Sequence, residues 1–181
     1  MTMVARRWTA EDLMALPRGR WRYELVAGAL RASPPSDARH REVAAVLGAR
    51  LSMATRAGRL GVVLYGAGFR LASDPDTVRA PDVSFVRAER VPGGAPAGCV
   101  DGAPDLAVEV LSRTDRTLDV EDRVAEYLAA GARLVWVLNP KHGRVTVHAP
   151  GAGARVLGAD DRLDGGDVVP GFGCAVRDVF E

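Results

Sequence analysis

Two acidic residues stand in stretches that otherwise read as β-strands: Asp82 in Ala80-Pro81-Asp82-Val83-Ser84-Phe85-Val86, and Glu109 in Asp105-Leu106-Ala107-Val108-Glu109-Val110-Leu111. An ionised carboxylate in the middle of a β-rich run is costly to bury unless something compensates its charge, so this pair is the best candidate for a metal site in the chain. Two oxygen donors about one ion's width apart on a rigid sheet suit Mg²⁺, which takes few protein carboxylates and keeps several waters. A cation should complete such a site. The sequence holds a single lysine, Lys141, and it lies in the turn signal Asn139-Pro140-Lys141-His142-Gly143, far from both strands. The opposing reading is structural: Asp82 caps a strand after Pro81, and Glu109 pairs with an arginine.

The elements that would position these acids follow from alternation and helical spacing. Along the second strand Leu106, Val108 and Val110 share one face while Asp105, Ala107, Glu109 and Leu111 share the other; along the first, Val83 and Phe85 oppose Asp82 and Ser84. If the two strands pair, both carboxylates converge on one face. The helix expected over residues 118–130, with Thr117 as N-cap and Gly131 as its stop, carries Val120, Val124, Tyr127 and Leu128 at i, i+4, i+7 and i+8, the stripe that packs on the sheet. Arg123 borders that stripe and could reach the carboxylates. An ordinary surface ion pair with Asp119 or Glu126 explains it equally well.

Elsewhere, Thr9 caps a short helix that Pro17 stops, and residues 22–26 and 29–32 flank Ala27-Gly28 as a hairpin. Ser33-Pro34-Pro35-Ser36 breaks the chain before a long helix over about 37–57, ending at Gly58. Residues 60–65 and 68–71 are expected to form another hairpin, and 87–102 a long Gly/Pro-rich loop. Leu134 to Leu138 reads as a strand buried on both faces, returning through residues 144–148, with short edge strands near 155–157 and 172–176. The 181 residues, 48% hydrophobic and 26% charged, favour one domain over residues 1–181. No apolar run approaches the ~18 residues that cross a bilayer, so a cytoplasmic protein without a membrane partner is expected. Cys99 and Cys174 form no metal spacing and are expected to be unpaired.

The formal net charge is only +1, but residues 1–41 hold eight arginines against four acids, and residues 151–181 three arginines against six acids. A basic N-terminal part could line a phosphate-binding surface or be a solvated face. Arginine far outnumbers lysine throughout. His142 and His148 belong to a turn and its strand and receive no role; Ser112 has no sequence-placed base to make it a nucleophile.

Taken together, Tyr23-Glu24-Leu25-Val26-Ala27-Gly28, Ser33-Pro34-Pro35, His40, Ala80-Pro81-Asp82-Val83, Ala103-Pro104-Asp105-Leu106-Ala107-Val108-Glu109-Val110-Leu111-Ser112 and Asp119 with Arg123 to Gly131 resemble the Uma2 family of "putative restriction endonucleases". That family was earlier a domain of unknown function within the PD-(D/E)XK nuclease superfamily. The resemblance extends to Trp136, Asn139-Pro140 and Pro170-Gly171-Phe172, and runs over nearly the whole chain in the family's order. It implies an α/β fold with a restriction-endonuclease-like core: a mixed β-sheet flanked by helices, here with an extra N-terminal hairpin and C-terminal edge strands. It also implies that Asp82 and Glu109 hold Mg²⁺ or Mn²⁺, that Glu24 completes the acidic set, and that His40 approaches substrate or metal. The superfamily's usual lysine, two residues after the glutamate, is replaced here by Leu111. The family carries that lysine on the following helix, where this chain has Arg123.

The expected activity is metal-dependent hydrolysis of phosphodiester bonds in DNA. A homodimer would suit an enzyme that must cut two strands, although nothing in the sequence specifies an interface. Because arginine cannot give up its proton as a buried lysine can, Arg123 leaves a second reading open: a catalytically silent nuclease fold that binds nucleic acid or protein. A carboxylate-pair hydrolase acting on sugars fits the two acids but not the flanking pattern.

Overall fold

The computed structural model describes residues 6–17, 19, 21–112 and 115–181. Helix α1 (Ala10–Met14) starts with a reciprocal cap: the Thr9 hydroxyl accepts the Asp12 amide, and the Asp12 carboxylate accepts the Thr9 amide. Strands β1 (Arg22–Val26) and β2 (Ala29–Ser33) form the expected hairpin. Both of its turn residues, Ala27 (φ 48°) and Gly28 (φ 76°), take the left-handed conformation that a two-residue hairpin of this twist demands.

Helix α2 (Ala38–Ala57) follows, with Asp37 as N-cap accepting the His40 amide at 2.8 Å. Then come β3 (Gly61–Tyr65), β4 (Phe69–Ala72), β5 (Thr77–Arg79), β6 (Val83–Arg87), β7 (Val100–Asp101) and β8 (Leu106–Val110). Helix α3 (Thr117–Ala129), β9 (Leu134–Asn139), β10 (Arg144–His148), β11 (Arg155–Leu157), β12 (Arg162–Asp164), β13 (Gly173–Ala175) and α4 (Arg177–Phe180) complete the order.

Six strands make one mixed sheet in the order β11-β10-β9-β8-β6-β3, with β8 and β9 parallel and the other neighbours antiparallel. Five make a second sheet, β2-β1-β5-β4-β7, so the N-terminal hairpin continues into a larger layer; β12 and β13 pair separately. On one face of the six-stranded sheet Val83, Phe85, Leu106, Val108, Trp136 and Leu138 pack under Val43, Leu47 and Leu51 of α2 and under the C-terminal Val169, Phe172, Val176 and Val179. On the other face Ala107, Val135 and Val137 meet Val124 and Tyr127 of α3. Phe69 and Val100 of the second sheet join Val86, with Val62 and Leu64, in an apolar contact between the sheets. Among the described residues no helix is long and apolar enough to cross a membrane, and Cys99 and Cys174 are free thiols.

The structure differs from the sequence expectation at several places, β5 and β12 being strands that the residue pattern does not mark. Residues 60–65 and 68–71 are not a hairpin, because β3 pairs with β6 while β4 pairs with β5 in the other sheet. The reason is β6: Val83 to Val86 are all buried, so this strand takes an interior position and recruits β3 on one side and β8 on the other. The loop over 87–102 contains a 3₁₀ turn (Ala88–Arg90) and ends in β7. Thr117 is the first residue inside α3 instead of its cap; Arg116 holds the cap position and supplies no side-chain hydrogen bond.

Candidate active site

Asp82 lies immediately before β6, and Glu109 is the fourth residue of β8. The antiparallel register that aligns Val83 with Val108, and the bond from the Asp82 amide to the Val108 carbonyl, bring the N-terminal end of one strand beside the C-terminal end of the other. Asp82 then reaches over β8: its Oδ2 accepts the Val110 amide at 2.8 Å. The two acids therefore flank the same short backbone segment, on the sheet face expected from alternation. Their side chains are only 7% and 3% exposed.

Each carboxylate has cationic or polar partners. Arg22 of β1 donates from Nη1 to Asp82 Oδ1 at 2.8 Å, and His40 Nε2 lies 3.1 Å from Asp82 Oδ2. Arg123 of α3 donates to Glu109 Oε2 at 3.0 Å, and the Tyr127 hydroxyl donates to Glu109 Oε1 at 2.8 Å. Glu24 is held by the Ala80 amide at 2.9 Å and by Arg79 at 3.1 Å, with Arg22 Nη2 3.6 Å away. Arg79 also grips Glu126 through Nε and Nη2. The sequence-predicted residues thus fall into two bonded groups, Glu24, Asp82 and His40 around Arg22 and Glu109 with Arg123, which are coupled to one another by charge. Asp82, His40 and Arg123 line a cavity of about 470 Å³ together with Arg22, Asp115 and Asp119. Glu24 instead borders an adjoining cavity of about 320 Å³, which also has Arg123 in its wall.

The electrostatics of the two central acids diverge. Burial raises the pKa of Glu109, and the neighbouring Asp82 charge adds to this; Arg123 and Arg22 pull the other way, and the acid settles at about 7. Burial also disfavours an ionised Asp82, but the hydrogen bond from His40 and the charge of Arg22 outweigh it and hold this acid below the usual carboxylate range. His40 shows the reciprocal effect: burial opposes its charged form, Asp82 overcomes that, and its pKa is raised. Burial and the nearby Glu109 charge push the Tyr127 hydroxyl well up, so it remains a donor.

These values test whether a divalent cation suits the donor set. Glu24, Asp82, Glu109 and Glu126 face three arginines, Arg22, Arg79 and Arg123; Glu109 is raised first by its burial and only then by the Asp82 charge, and a cation beside the pair would oppose both. Among the described residues no group of three or more His, Cys, Asp or Glu has metal-holding geometry. Asp82 faces the larger cavity, whereas Glu109 lies behind it and lines neither of the two, so an ion that keeps most of its waters fits best on the Asp82 side of the pair.

Several participants escape a reading of the sequence alone. Arg22 is one, although its place two residues before Glu24 on a strand puts both on the same face. Arg79 with Glu126 is another. Tyr127 is a third; its spacing marks it as core, and it is four residues from Arg123, so both overlie Glu109. Arg123 makes neither of its alternative pairs with Asp119 or Glu126, since Glu126 is taken by Arg79.

The fold, with its acid pair at the mouth of two antiparallel strands, is that of a nuclease-like α/β protein. A crystal structure of a "putative nuclease belonging to DUF820" from Anabaena variabilis superposes with a TM-score of 0.84, covering 95% of this chain and 97% of that one at 19% identity. The family model Uma2, described as "Putative restriction endonuclease", matches residues 10–177, and the chain belongs to that family. No curated protein matches.

Proposed function

We propose that the protein is a divalent-metal-dependent endonuclease that hydrolyses phosphodiester bonds in DNA. The observation that carries this reading is the meeting of Asp82 and Glu109, from two paired strands, with Arg123 at 3.0 Å from Glu109. Asp82 and Glu109 would hold Mg²⁺ or Mn²⁺, which when bound polarises the phosphoryl oxygen and makes a water acidic enough to attack. Arg123 holds Glu109 by charge and offers its guanidinium to the developing negative charge on the phosphate. Having a pKa far above neutrality, it cannot act as the base. Arg123 Nε and His40 Nδ1 are buried and lack a hydrogen-bond partner among the described residues. Tyr127 and the Val110 amide fix the orientations of Glu109 and Asp82. Glu24 acts at one remove, by aligning Arg79 and Arg22.

The purified protein is expected to nick plasmid DNA with Mg²⁺ or Mn²⁺ and to stop on chelation. Arg123→Ala should cut about 10²-fold more slowly, the scale for losing one preorganised donor to transition-state charge, whereas Arg123→Lys should retain the wild-type rate or exceed it. A second reading, a silent nuclease fold that binds nucleic acid or protein, is favoured by the fact that every oxygen of Asp82 and Glu109 already has a protein partner. Absence of cleavage in both wild type and Arg123→Lys, with no divalent ion bound, would decide for it.

A further inference from the structure

We propose that Arg22 is an exchangeable internal counter-ion of the acid pair: it neutralises Asp82 until a divalent cation binds there, and then it gives way. The inference rests on the metal-dependent reading above and concerns what this chain itself does to metal affinity.

Three observations single out Arg22. It donates to Asp82 Oδ1 at 2.8 Å and to the Ala80 carbonyl, so its guanidinium lies against the oxygen that a metal ion would need. Although closely surrounded, its side chain has the largest solvent-exposed share of the three arginines, 28% against 9% for Arg79 and 19% for Arg123, and it lines the 470 Å³ cavity, which gives it somewhere to go. The other two arginines have lasting partners: Arg79 is clamped between Glu24 and Glu126, and Arg123 is held on Glu109. A guanidinium and a divalent cation cannot share Asp82 Oδ1 in a buried setting, because two like charges at that separation repel strongly where water is scarce.

Displacement has a definite thermodynamic signature. If the arginine-bound arrangement must open before metal enters, the apparent dissociation constant is the intrinsic one divided by the open fraction, and removing Arg22 abolishes that penalty. Mutating the arginine should therefore tighten metal binding. An arginine that merely supports the site would have the reverse effect, and its loss would weaken binding.

The test is Mn²⁺ binding to the full chain, by calorimetry and electron paramagnetic resonance, without nucleic acid. Arg22→Gln is expected to bind Mn²⁺ about tenfold or more tightly than wild type, Arg22→Lys to fall between them, and Asp82→Asn to lose binding. Lysine keeps the charge but not the two-pronged hold on Asp82 and Ala80, so Arg22→Lys carries the test should Arg22→Gln fail to fold. If the Arg22 variants that fold bind Mn²⁺ no more tightly than wild type, while Asp82→Asn still loses it, the counter-ion role is wrong and the metal site stands. If neither wild type nor the Arg22 variants bind Mn²⁺, the metal site and the role proposed for Arg22 fall together.

Discussion

Asp82→Asn is expected to lower metal-dependent DNA cleavage by about 10³-fold or more, the largest effect of any single substitution in the cavity. The change is nearly isosteric and leaves one oxygen to accept the Val110 amide at the β8 terminus, so the strand pairing survives. What disappears is charge. The proposed metal ligand is lost, and Arg22 and His40 are left beside a neutral amide. Plasmid nicking at saturating Mg²⁺ measures the loss, and circular dichroism checks that the variant is folded. Cleavage at the wild-type rate by a folded Asp82→Asn protein would remove Asp82 from the chemistry.

The second large effect is on stability and its pH dependence. Glu109 has a pKa of about 7 in the folded protein against 4.5 for an ordinary glutamate. Below pH 4.5 both folded and unfolded chains carry the proton. Between 4.5 and 7 the unfolded chain releases it first, so the native state loses stability as the pH rises, and above 7 the loss is complete. The two values are about 2.5 pH units apart, which corresponds to roughly 3 kcal/mol. With chelator present, wild type should therefore lose that much relative to Glu109→Gln between about pH 4.5 and about pH 8 in urea unfolding. Excess Mg²⁺ at the upper end of this range should restore wild type more than the variant, because an added cation favours the ionised acid. Parallel stability curves for the two proteins across this range would show that Glu109 is not the strained group.

Much of this site is legible along the chain because it is built from local rules. Alternation places Glu109 opposite Val108 and Val110, and the 120–128 stripe places Arg123 beside the face that packs on the sheet; both follow from the periods of strand and helix. Asp37 capping α2 fixes the backbone at His40, whose ring then meets Asp82. What local rules do not reveal is which strands become neighbours. The transfer of β4 to the second sheet, and the arrival of Arg22 against an acid sixty residues away, depend on how two layers close over one another. The Asp82 alternative, a strand cap, also holds in part, since this carboxylate accepts the Val110 amide as well as facing the cavity.

The two sheets are fastened differently at two places. Phe69, Val86 and Val100 grip one place by apolar packing, while at another Arg22 reaches from β1 to Asp82, and Arg79 ties the second sheet to α3 through Glu126. The apolar contact is indifferent to ions; the charged one is a clasp whose grip would depend on which cation Asp82 holds. Chemistry and architecture thus draw on the same few charges. A substitution in the clasp alters how the layers are joined as well as what the cavity can do, and a ligand that competes for Asp82 pulls directly on the joint between them.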